Sequence, residues 1–280
     1  MIGAIIGDVV GSRFEFINNR TKDFPLFHRV STYTDDSVCT IAVANALLNN
    51  YPFDLSKEGI EKLKEDVKDS LINFVYKYPD RGYGGNFYKW VFDDVRHKPY
   101  NSYGNGSAMR VSCVGWLANS EEEVKTLARI TAEPTHNHIE GIKGAEAIAM
   151  CIYMAKNKRS KQEIKEYISD NYYPEIAYMN YRDLVKYNKF DCTCQGSVPE
   201  AIYCFLISKG FEDTLRIAVS IGGDSDTIAC MAGSIAEAYY KDKKNTSKII
   251  NEFYKRRFIP NEFIEIINKF NGKRSTNENY

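Results

Sequence analysis

Three segments of this 280-residue chain are apolar on almost every side of a helix, and they contain many Ala, Gly and Ser residues. A helix that is hydrophobic all round is buried on most of its surface. Small residues also allow helix backbones to approach one another closely. The segments at 38–48, Gly144–Ala155 and Ile228–Tyr240 therefore predict the central layer of a helical bundle.

More amphipathic helices are predicted around this layer. Glu58–Tyr78 and Asn261–Phe270 have helical periodicity, and Ser120 and Ser160 each precede a glutamate by three residues, as in a capping box. Runs of strand length with alternating polarity are nearly absent. We therefore expect an all-α fold, a helical bundle in a single domain. This domain would span residues 1–270, with a flexible tail at 271–280.

Charge and cysteine usage limit the possible partners. The chain has 37 basic and 37 acidic residues, so its formal net charge is zero and gives no electrostatic reason to expect nucleic-acid or anionic-membrane binding. No stretch reaches the roughly 18 apolar residues that span a bilayer, and the N-terminus lacks the basic region of a signal peptide. The seven cysteines are scattered without zinc or redox spacing. We expect a cytoplasmic monomer.

Two acidic clusters each lie directly before a predicted central helix. The first is Thr34-Asp35-Asp36-Ser37 and the second is Gly223-Asp224-Ser225-Asp226-Thr227. Helix capping alone could explain one such cluster, because Ser, Thr and Asp are preferred N-cap residues and acidic side chains suit a helix N-terminus. A cap uses one side chain, however, and each cluster offers two carboxylates and hydroxyl groups.

A divalent metal site explains both clusters better. Four carboxylates gathered near a core would repel one another and raise their own pKa values unless a cation neutralised them. Ligand sets made only of oxygen suit Mg²⁺ or Mn²⁺ rather than zinc. The sequence therefore predicts one or two hard divalent cations between the starts of two central helices.

The sequence alone allows two interpretations for each of several other candidate residues. The glycine-rich segments Arg81–Phe87 and Tyr100–Ala108 could bind phosphate through backbone N–H groups, or they could be flexible loops. Glu15 is either an ordinary salt-bridge partner or an acid/base. His136, two residues before His138, is more typical of a loop than of a metal ligand set.

Five motifs follow one another along the chain. They are Gly7-Asp8-Val-Val-Gly11-Ser-Arg-Phe-Glu15, Thr34-Asp35-Asp36-Ser37, Gly104-Asn105-Gly106-Ser107-Ala-Met109-Arg110, Thr135-His136 and Gly222-Gly223-Asp224-Ser225-Asp226-Thr227. They occur in the order found in ADP-ribosylglycohydrolases, and the chain resembles the dinitrogenase-reductase-activating glycohydrolase and the ADP-ribosyl-acceptor hydrolases. The resemblance extends from residue 3 to about residue 240.

The resemblance implies an all-α fold, a single-domain orthogonal helical bundle with a dinuclear metal cleft that would hold two Mg²⁺ or Mn²⁺ ions. It also implies a role for each motif. Glu15 would match the catalytic glutamate of the family. The metal ligands would be Thr34, Asp35, Asp36, Asp224, Asp226 and Thr227. The phosphates and ribose would be bound by Gly82, Tyr83, Gly84, Asn105, Gly106 and Ser107, with His136 near the ribose.

The implied activity is metal-dependent hydrolysis of the glycosidic bond between ADP-ribose and an acceptor, which is a modified protein side chain or a small molecule. Arginine-specific members tend to have Asp-Ile-Gly where this chain has Gly82-Tyr83-Gly84, which is more similar to the branch that cleaves O-linked ADP-ribose. One alternative is a catalytically inactive relative that binds ADP-ribose or has a structural role. Another is a metal-dependent hydrolase of a nucleotide diphosphate.

Overall fold

The computed structural model describes residues 1–93 and 95–277. In these two ranges the chain forms fifteen α-helices, two short 3-10 helices (Ser12–Phe14 and Pro174–Ala177) and no β-strand, which confirms the predicted all-α fold. The α-helices are α1 (Ile2–Gly11), α2 (Asp35–Asn49), α3 (Lys57–Lys77), α4 (Gly85–Phe92), α5 (Gly106–Met109), α6 (Ser112–Leu117), α7 (Glu121–Ala132), α8 (Ile139–Lys156), α9 (Lys161–Asn171), α10 (Tyr181–Tyr187), α11 (Cys194–Ile207), α12 (Phe211–Ser220), α13 (Ser225–Tyr240), α14 (Lys244–Arg256) and α15 (Asn261–Asn277).

The three predicted central helices are α2, α8 and α13, and most of their residues are buried. A fourth buried helix, α1, was not predicted as a helix. All ten of its residues are buried, including Asp8 in its middle. Because a carboxylate in an apolar run usually marks the end of a buried segment, the sequence did not show that the helix continues through Asp8.

Helices α1 and α13 pack with their backbones close together. Gly3, Gly7 and Gly11 recur every fourth residue of α1 and so lie on one face. A Cβ atom added at Gly7 would lie 2.0 Å from the carbonyl oxygen of Ala229 on α13. Glycine is therefore required for this approach, which places Asp8 beside the N-terminal end of α13.

The outer helices begin largely as the sequence predicted. Ser160 and Glu163 form a reciprocal capping box at the start of α9. Ser120 accepts a hydrogen bond from the Glu123 backbone N–H, while the Glu123 carboxylate binds the N–H of Asn119 instead. Helix α15 continues through residues 271–277 of the predicted tail. Residues 278–280 lie outside the described residues, and the division into one domain and a flexible tail stays a prediction.

The apolar side chains of these helices form one contiguous core. Trp116, Phe205, Phe253 and Phe263 are among the largest side chains that are fully buried in it. Of the helices that the structure describes, none combines the length and the apolar character needed to cross a membrane.

Candidate active site

The two acidic clusters meet where α2 and α13 begin. The Thr227 hydroxyl donates a hydrogen bond to Asp36 Oδ2 over 3.2 Å, which joins the clusters directly. Carboxylate oxygens of Asp8, Asp36 and Asp226 lie within 4.8 Å of one another, and so do those of Glu15, Asp224 and Asp226. Asp226 belongs to both groups, so the five carboxylates form one continuous acidic site.

Asp8 is the residue of this site that sequence reasoning missed. It is fully buried and accepts hydrogen bonds from the backbone N–H of Thr34 (2.9 Å), from the Thr34 hydroxyl (2.7 Å), and from the N–H and hydroxyl of Ser37. Asp8 therefore fixes the turn that carries Asp35 and Asp36. The sequence did contain one indication of its role, a single carboxylate within an apolar segment. Burying a carboxylate costs free energy unless hydrogen-bond donors or a cation are its partners.

The second cluster is fixed by the loop before it. Gly222 and Gly223 have φ of +69° and +78°, a left-handed backbone conformation that favours glycine. This turn leads into Asp224, whose carboxylate accepts a hydrogen bond from Asn105 Nδ2 over 2.7 Å. Asp224 stands at the N-cap of α13, but its side chain makes no capping hydrogen bond. Capping therefore does not explain this cluster.

The pKa values of these carboxyls are raised because the groups are buried together. Burial raises the pKa of Glu15 to about 7, and the charges of Asp224 and Asp8 act in the same direction. Burial also raises the pKa of Asp8 to about 6, against the effect of its hydrogen bonds. For Asp36 and Asp226, burial and the neighbouring carboxylates raise the pKa well above the usual range.

A hard divalent cation fits this set of oxygen donors. Asp36 Oδ1 is buried and has no hydrogen-bond partner among the described residues. A buried oxygen without a partner lowers the stability of the fold unless a ligand binds to it. A cation would also relieve the mutual repulsion that raises the pKa values of the carboxyls. The donors are carboxylate and hydroxyl oxygens, which Mg²⁺ and Mn²⁺ prefer.

A cleft of about 720 Å³ opens onto this acidic site. Its size lies within the usual range of small-molecule sites. The structure brings the acidic residues Glu15, Asp35, Asp36, Asp224 and Asp226 to one part of its lining. The lining also includes Thr227 and the predicted loop residues Gly82, Gly84, Asn105, Gly106 and His136.

Three residues predicted for the site are absent from the lining of the cleft, and their side chains form hydrogen bonds within the protein. The Tyr83 hydroxyl donates to the carbonyl of Tyr78 and the Ser107 hydroxyl to the carbonyl of Gly141, each over 2.7 Å. Thr34 Oγ1 donates to Asp8 Oδ1. The roles assigned to all three residues stay predictions.

A second cavity of about 320 Å³ adjoins the cleft and shares Glu15, Phe16 and Phe190 with it. The rings of Phe16 and Phe190 stack with centroids 6.3 Å apart, although they are 83% and 52% exposed. Asn18, Lys189 and Gly223 complete the lining of this smaller cavity. Glu15 therefore lies between the cleft and the smaller cavity, which could bind two parts of one substrate.

Comparison with known proteins identifies the family of this chain. The family profile described as "ADP-ribosylglycohydrolase" matches residues 1–266 of the chain. The chain is similar to "ADP-ribosylhydrolase ARH3" of Xenopus tropicalis, with 27% identity covering 92% of this chain and 95% of that protein. It is also similar to "ADP-ribosylhydrolase ARH3" of Homo sapiens, with 29% identity covering 86% and 84% of the two chains.

The chain is more distantly similar to a bacterial protein and to a protein of known structure. "ADP-ribosylarginine hydrolase Tri1" of Pseudomonas putida is 20% identical over 86% of this chain and 69% of its own length. A solved structure described as "ADP-ribosylglycohydrolase-related protein complex" superposes with a TM-score of 0.64 at 20% identity, covering 95% of both chains. At that identity the structural match supports the fold alone.

Proposed function

The chain belongs to the ADP-ribosylglycohydrolase family, and from this premise we propose that it hydrolyses the glycosidic bond between ADP-ribose and an acceptor, with release of ADP-ribose. One observation carries the proposal: the carboxylates of Glu15, Asp224 and Asp226 lie within 4.8 Å of one another in the lining of the cleft. That arrangement suits the cleavage of a sugar bond, where carboxylates provide acid/base groups and stabilise positive charge.

Two Mg²⁺ or Mn²⁺ ions are part of the proposal. The residues that would hold them are Thr34, Asp35, Asp36, Asp224, Asp226 and Thr227. When bound, such ions supply positive charge that orients ribose hydroxyl groups and offsets the charge of the carboxylates. Asp8 and Asn105 would act by orienting these residues, since they bond to Thr34 and Asp224 respectively.

Glu15 is the proposed acid/base. It would take a proton from a water molecule as the water oxygen bonds to C1″ of the ribose and the bond from C1″ to the acceptor breaks. The proton then passes to the leaving group, so that ADP-ribose and the free acceptor are the products. Burial is the main cause that raises the pKa of Glu15, and a raised pKa suits both steps because the carboxyl then gains and loses a proton more readily near neutral pH.

The loops of the cleft would bind the rest of ADP-ribose. Backbone N–H groups at Gly82–Gly84 and at Gly106 and Ser107 are proposed to bind the phosphates and ribose, with His136 beside the ribose. The N–H of Asn105 donates to the carbonyl of Cys192 over 2.8 Å, so Asn105 would contribute through its side chain, which donates to Asp224.

The smaller cavity beside Glu15 is the proposed site of the acceptor, and its composition supports an O-linked acceptor. Lys189 is among its lining residues, and a positive charge on a lining side chain disfavours a cationic guanidinium leaving group. The exposed rings of Phe16 and Phe190 would contact the aliphatic part of the acceptor. The partner would therefore be an ADP-ribosylated protein or a small-molecule conjugate in which C1″ is joined through oxygen, as an O-glycoside or an ester.

Product analysis tests the proposal. The protein is incubated with serine-, acetyl- and arginine-linked ADP-ribose, with Mg²⁺ or Mn²⁺ and with a chelator. We expect free ADP-ribose only when metal is present, and no release from Asp35→Ala or Asp226→Ala. AMP with ribose phosphate would identify a nucleotide diphosphate hydrolase, and binding of ADP-ribose without turnover would identify an inactive relative. Full activity of either variant with chelator present would refute the metal site.

The compartment and oligomeric state are also proposals. The seven cysteines are free thiols in the structure, and six of them are buried. Free thiols are typical of reducing compartments, which supports a cytoplasmic location. We propose that the protein acts there as a monomer; one chain supplies five neighbouring carboxylates, so the acidic site needs no residue from a second copy.

A further inference from the structure

The Thr135 hydroxyl lies between a buried guanidinium and a buried imidazole at the edge of the cleft. Arg110 Nη2 donates a hydrogen bond to Thr135 Oγ1 over 2.8 Å, and Thr135 Oγ1 lies 2.7 Å from His136 Nδ1. The three side chains are at most 4% exposed. Arg110 and His136 also line the cleft, so this chain of hydrogen bonds ends at the ligand space.

The direction of these hydrogen bonds follows from their chemistry. A guanidinium can only donate, so Thr135 Oγ1 accepts from Arg110. The Thr135 hydroxyl hydrogen then needs an acceptor. Among the residues that the structure describes, His136 Nδ1 is the one recorded within reach. If Nδ1 carried a proton, it would face the hydroxyl as a second donor and leave the buried hydroxyl hydrogen without a partner, which is costly.

The imidazole is therefore held in one protonation state. Burial, with the charge of Arg110 as a second cause, lowers the pKa of His136 well below its ordinary value, so the ring is neutral near neutral pH. A neutral imidazole has one N–H, and with Nδ1 accepting from Thr135 that hydrogen is on Nε2. Arg110 itself is held in place because the same Nη2 donates to the carbonyl of Thr131 over 2.9 Å.

Nε2 of His136 faces the glycine-rich loop of the cleft. A Cβ atom added at Gly106 would lie 3.2 Å from Nε2, and one added at Gly104 would lie 3.6 Å from it. The two glycines thus leave room beside this nitrogen. Within the described part of the chain no hydrogen-bond partner is recorded for Nε2, so its hydrogen is available to a ligand.

We propose that Arg110 and Thr135 are positioning residues that hold His136 as its Nε2–H tautomer, so that the ring presents a donor to the cleft. Such a group recognises an acceptor oxygen and rejects a ligand that places a donor there. The identity of that ligand rests on the proposed function, since the ribose and phosphate groups of ADP-ribose carry the required oxygens.

The tautomer is measured directly in protein labelled with ¹⁵N at histidine, through two-bond ¹H–¹⁵N correlations. The chain has four histidines, and His136→Gln identifies the His136 signals. In the wild type we expect Nδ1 to have the shift of an unprotonated nitrogen and Nε2 that of a protonated one. In Thr135→Val, which lacks the hydroxyl, we expect a mixture of tautomers, and in Thr135→Ser the wild-type pattern.

Binding of ADP-ribose, measured by calorimetry, gives a second readout. We expect Thr135→Val to weaken it about tenfold, as the loss of one hydrogen bond does, and Thr135→Ser to restore it. A wild-type spectrum with Nδ1 protonated, or an unchanged tautomer in Thr135→Val, would overturn the proposal. The expected spectrum in a protein that does not bind ADP-ribose would support the tautomer assignment and refute the proposed function.

Discussion

Asp8 accepts hydrogen bonds from both the backbone N–H (3.1 Å) and the hydroxyl of Ser37, and so joins the buried helix α1 to the start of α2. Its carboxylate also accepts from the N–H and hydroxyl of Thr34. One buried side chain thus determines the position of the turn that contains Asp35 and Asp36. The geometry of the proposed metal site depends on a residue that lies outside both acidic clusters.

Asp8→Asn should therefore weaken both folding and metal binding. An asparagine amide has only one acceptor oxygen, and its NH₂ group takes the place of the second carboxylate oxygen. Donors that the carboxylate accepted from would then face another donor, which leaves buried groups without partners. With Mg²⁺ present, so that the negative charge of Asp8 is compensated, we expect the free energy of unfolding to fall by about 2 kcal/mol in urea denaturation. The rise in Tm on addition of Mg²⁺ should also shrink. Asp170→Asn, at an exposed position, is the control and should match the wild type in both measurements.

Gly11→Ala tests how closely α1 must approach the site. The added Cβ would lie 2.4 Å from Asp226 Cα and 2.5 Å from the carbonyl oxygen of Ser225, both backbone atoms that cannot move independently. We expect a loss of about 3 kcal/mol in unfolding free energy, as in an overpacked core, and a smaller Tm rise with Mg²⁺ because Asp226 is displaced.

Gly272→Ala is the matched control for that substitution, because its added Cβ meets no atom within 4 Å. Alanine has a higher helix propensity than glycine, so this variant should be as stable as the wild type or slightly more stable. Equal stability of Gly11→Ala and Gly272→Ala would contradict the close packing of α1 against α13.

The sequence predicted the parts of the fold that depend on composition and periodicity. Helices α2, α8 and α13 were predicted because they are long and apolar on nearly every side. The two acidic clusters were predicted to meet because each precedes one of these helices, and the hydrogen bond between Thr227 and Asp36 is consistent with that.

Features that depend on tertiary packing were missed. Helix α4 begins at Gly85, inside the segment predicted as a glycine-rich loop, and α5 is only four residues long. Such short helices are not stable alone and exist because the rest of the fold holds them. The directions of the Tyr83 and Ser107 side chains could not be inferred either, since their acceptors, on Tyr78 and Gly141, are carbonyls placed by the fold.

Glu15→Gln should separate binding from chemistry. Glutamine keeps the size of the side chain but cannot take up a proton, so we expect turnover to fall by about 10²- to 10⁴-fold. Binding of ADP-ribose, measured by calorimetry, should remain within a few-fold of the wild type. Glu265→Gln, at an exposed position on α15, serves as the control. Wild-type turnover in Glu15→Gln would remove this residue from the mechanism.

Lys189→Glu tests the proposed acceptor site. Replacing the ammonium with a carboxylate should stabilise the transition state that has a guanidinium leaving group by about 1 kcal/mol. This free energy is typical of the interaction between two exposed charges. The ratio of kcat/KM for arginine-linked to serine-linked ADP-ribose should therefore rise about fivefold. Lys186→Glu makes the same charge change outside the cavity, and it should leave the ratio unchanged. An equal rise in both variants would indicate a long-range effect of charge and refute the assignment of this cavity.

Glu200 on α11 gives a pH dependence of stability that is separate from catalysis. Its carboxylate accepts a hydrogen bond from Asn188 Nδ2 over 2.9 Å, but burial is the larger effect and raises the pKa of Glu200 from 4.5 to about 7. Between these values the folded protein holds a proton at Glu200 that the unfolded chain has released. This group's contribution to stability is therefore complete below pH 4.5 and is lost as pH rises to about 7.

Glu200→Gln removes this titration and retains an acceptor oxygen for Asn188. Near pH 4.5 the variant and the wild type should have similar unfolding free energies, because Glu200 is then neutral when folded. Well above pH 7 the variant should be the more stable, by at most about 3 kcal/mol, the free energy that corresponds to the pKa difference. Urea denaturation at both pH values measures the change, with Glu265→Gln as the exposed control. A stability difference that does not vary with pH would mean that folding does not raise the pKa of Glu200.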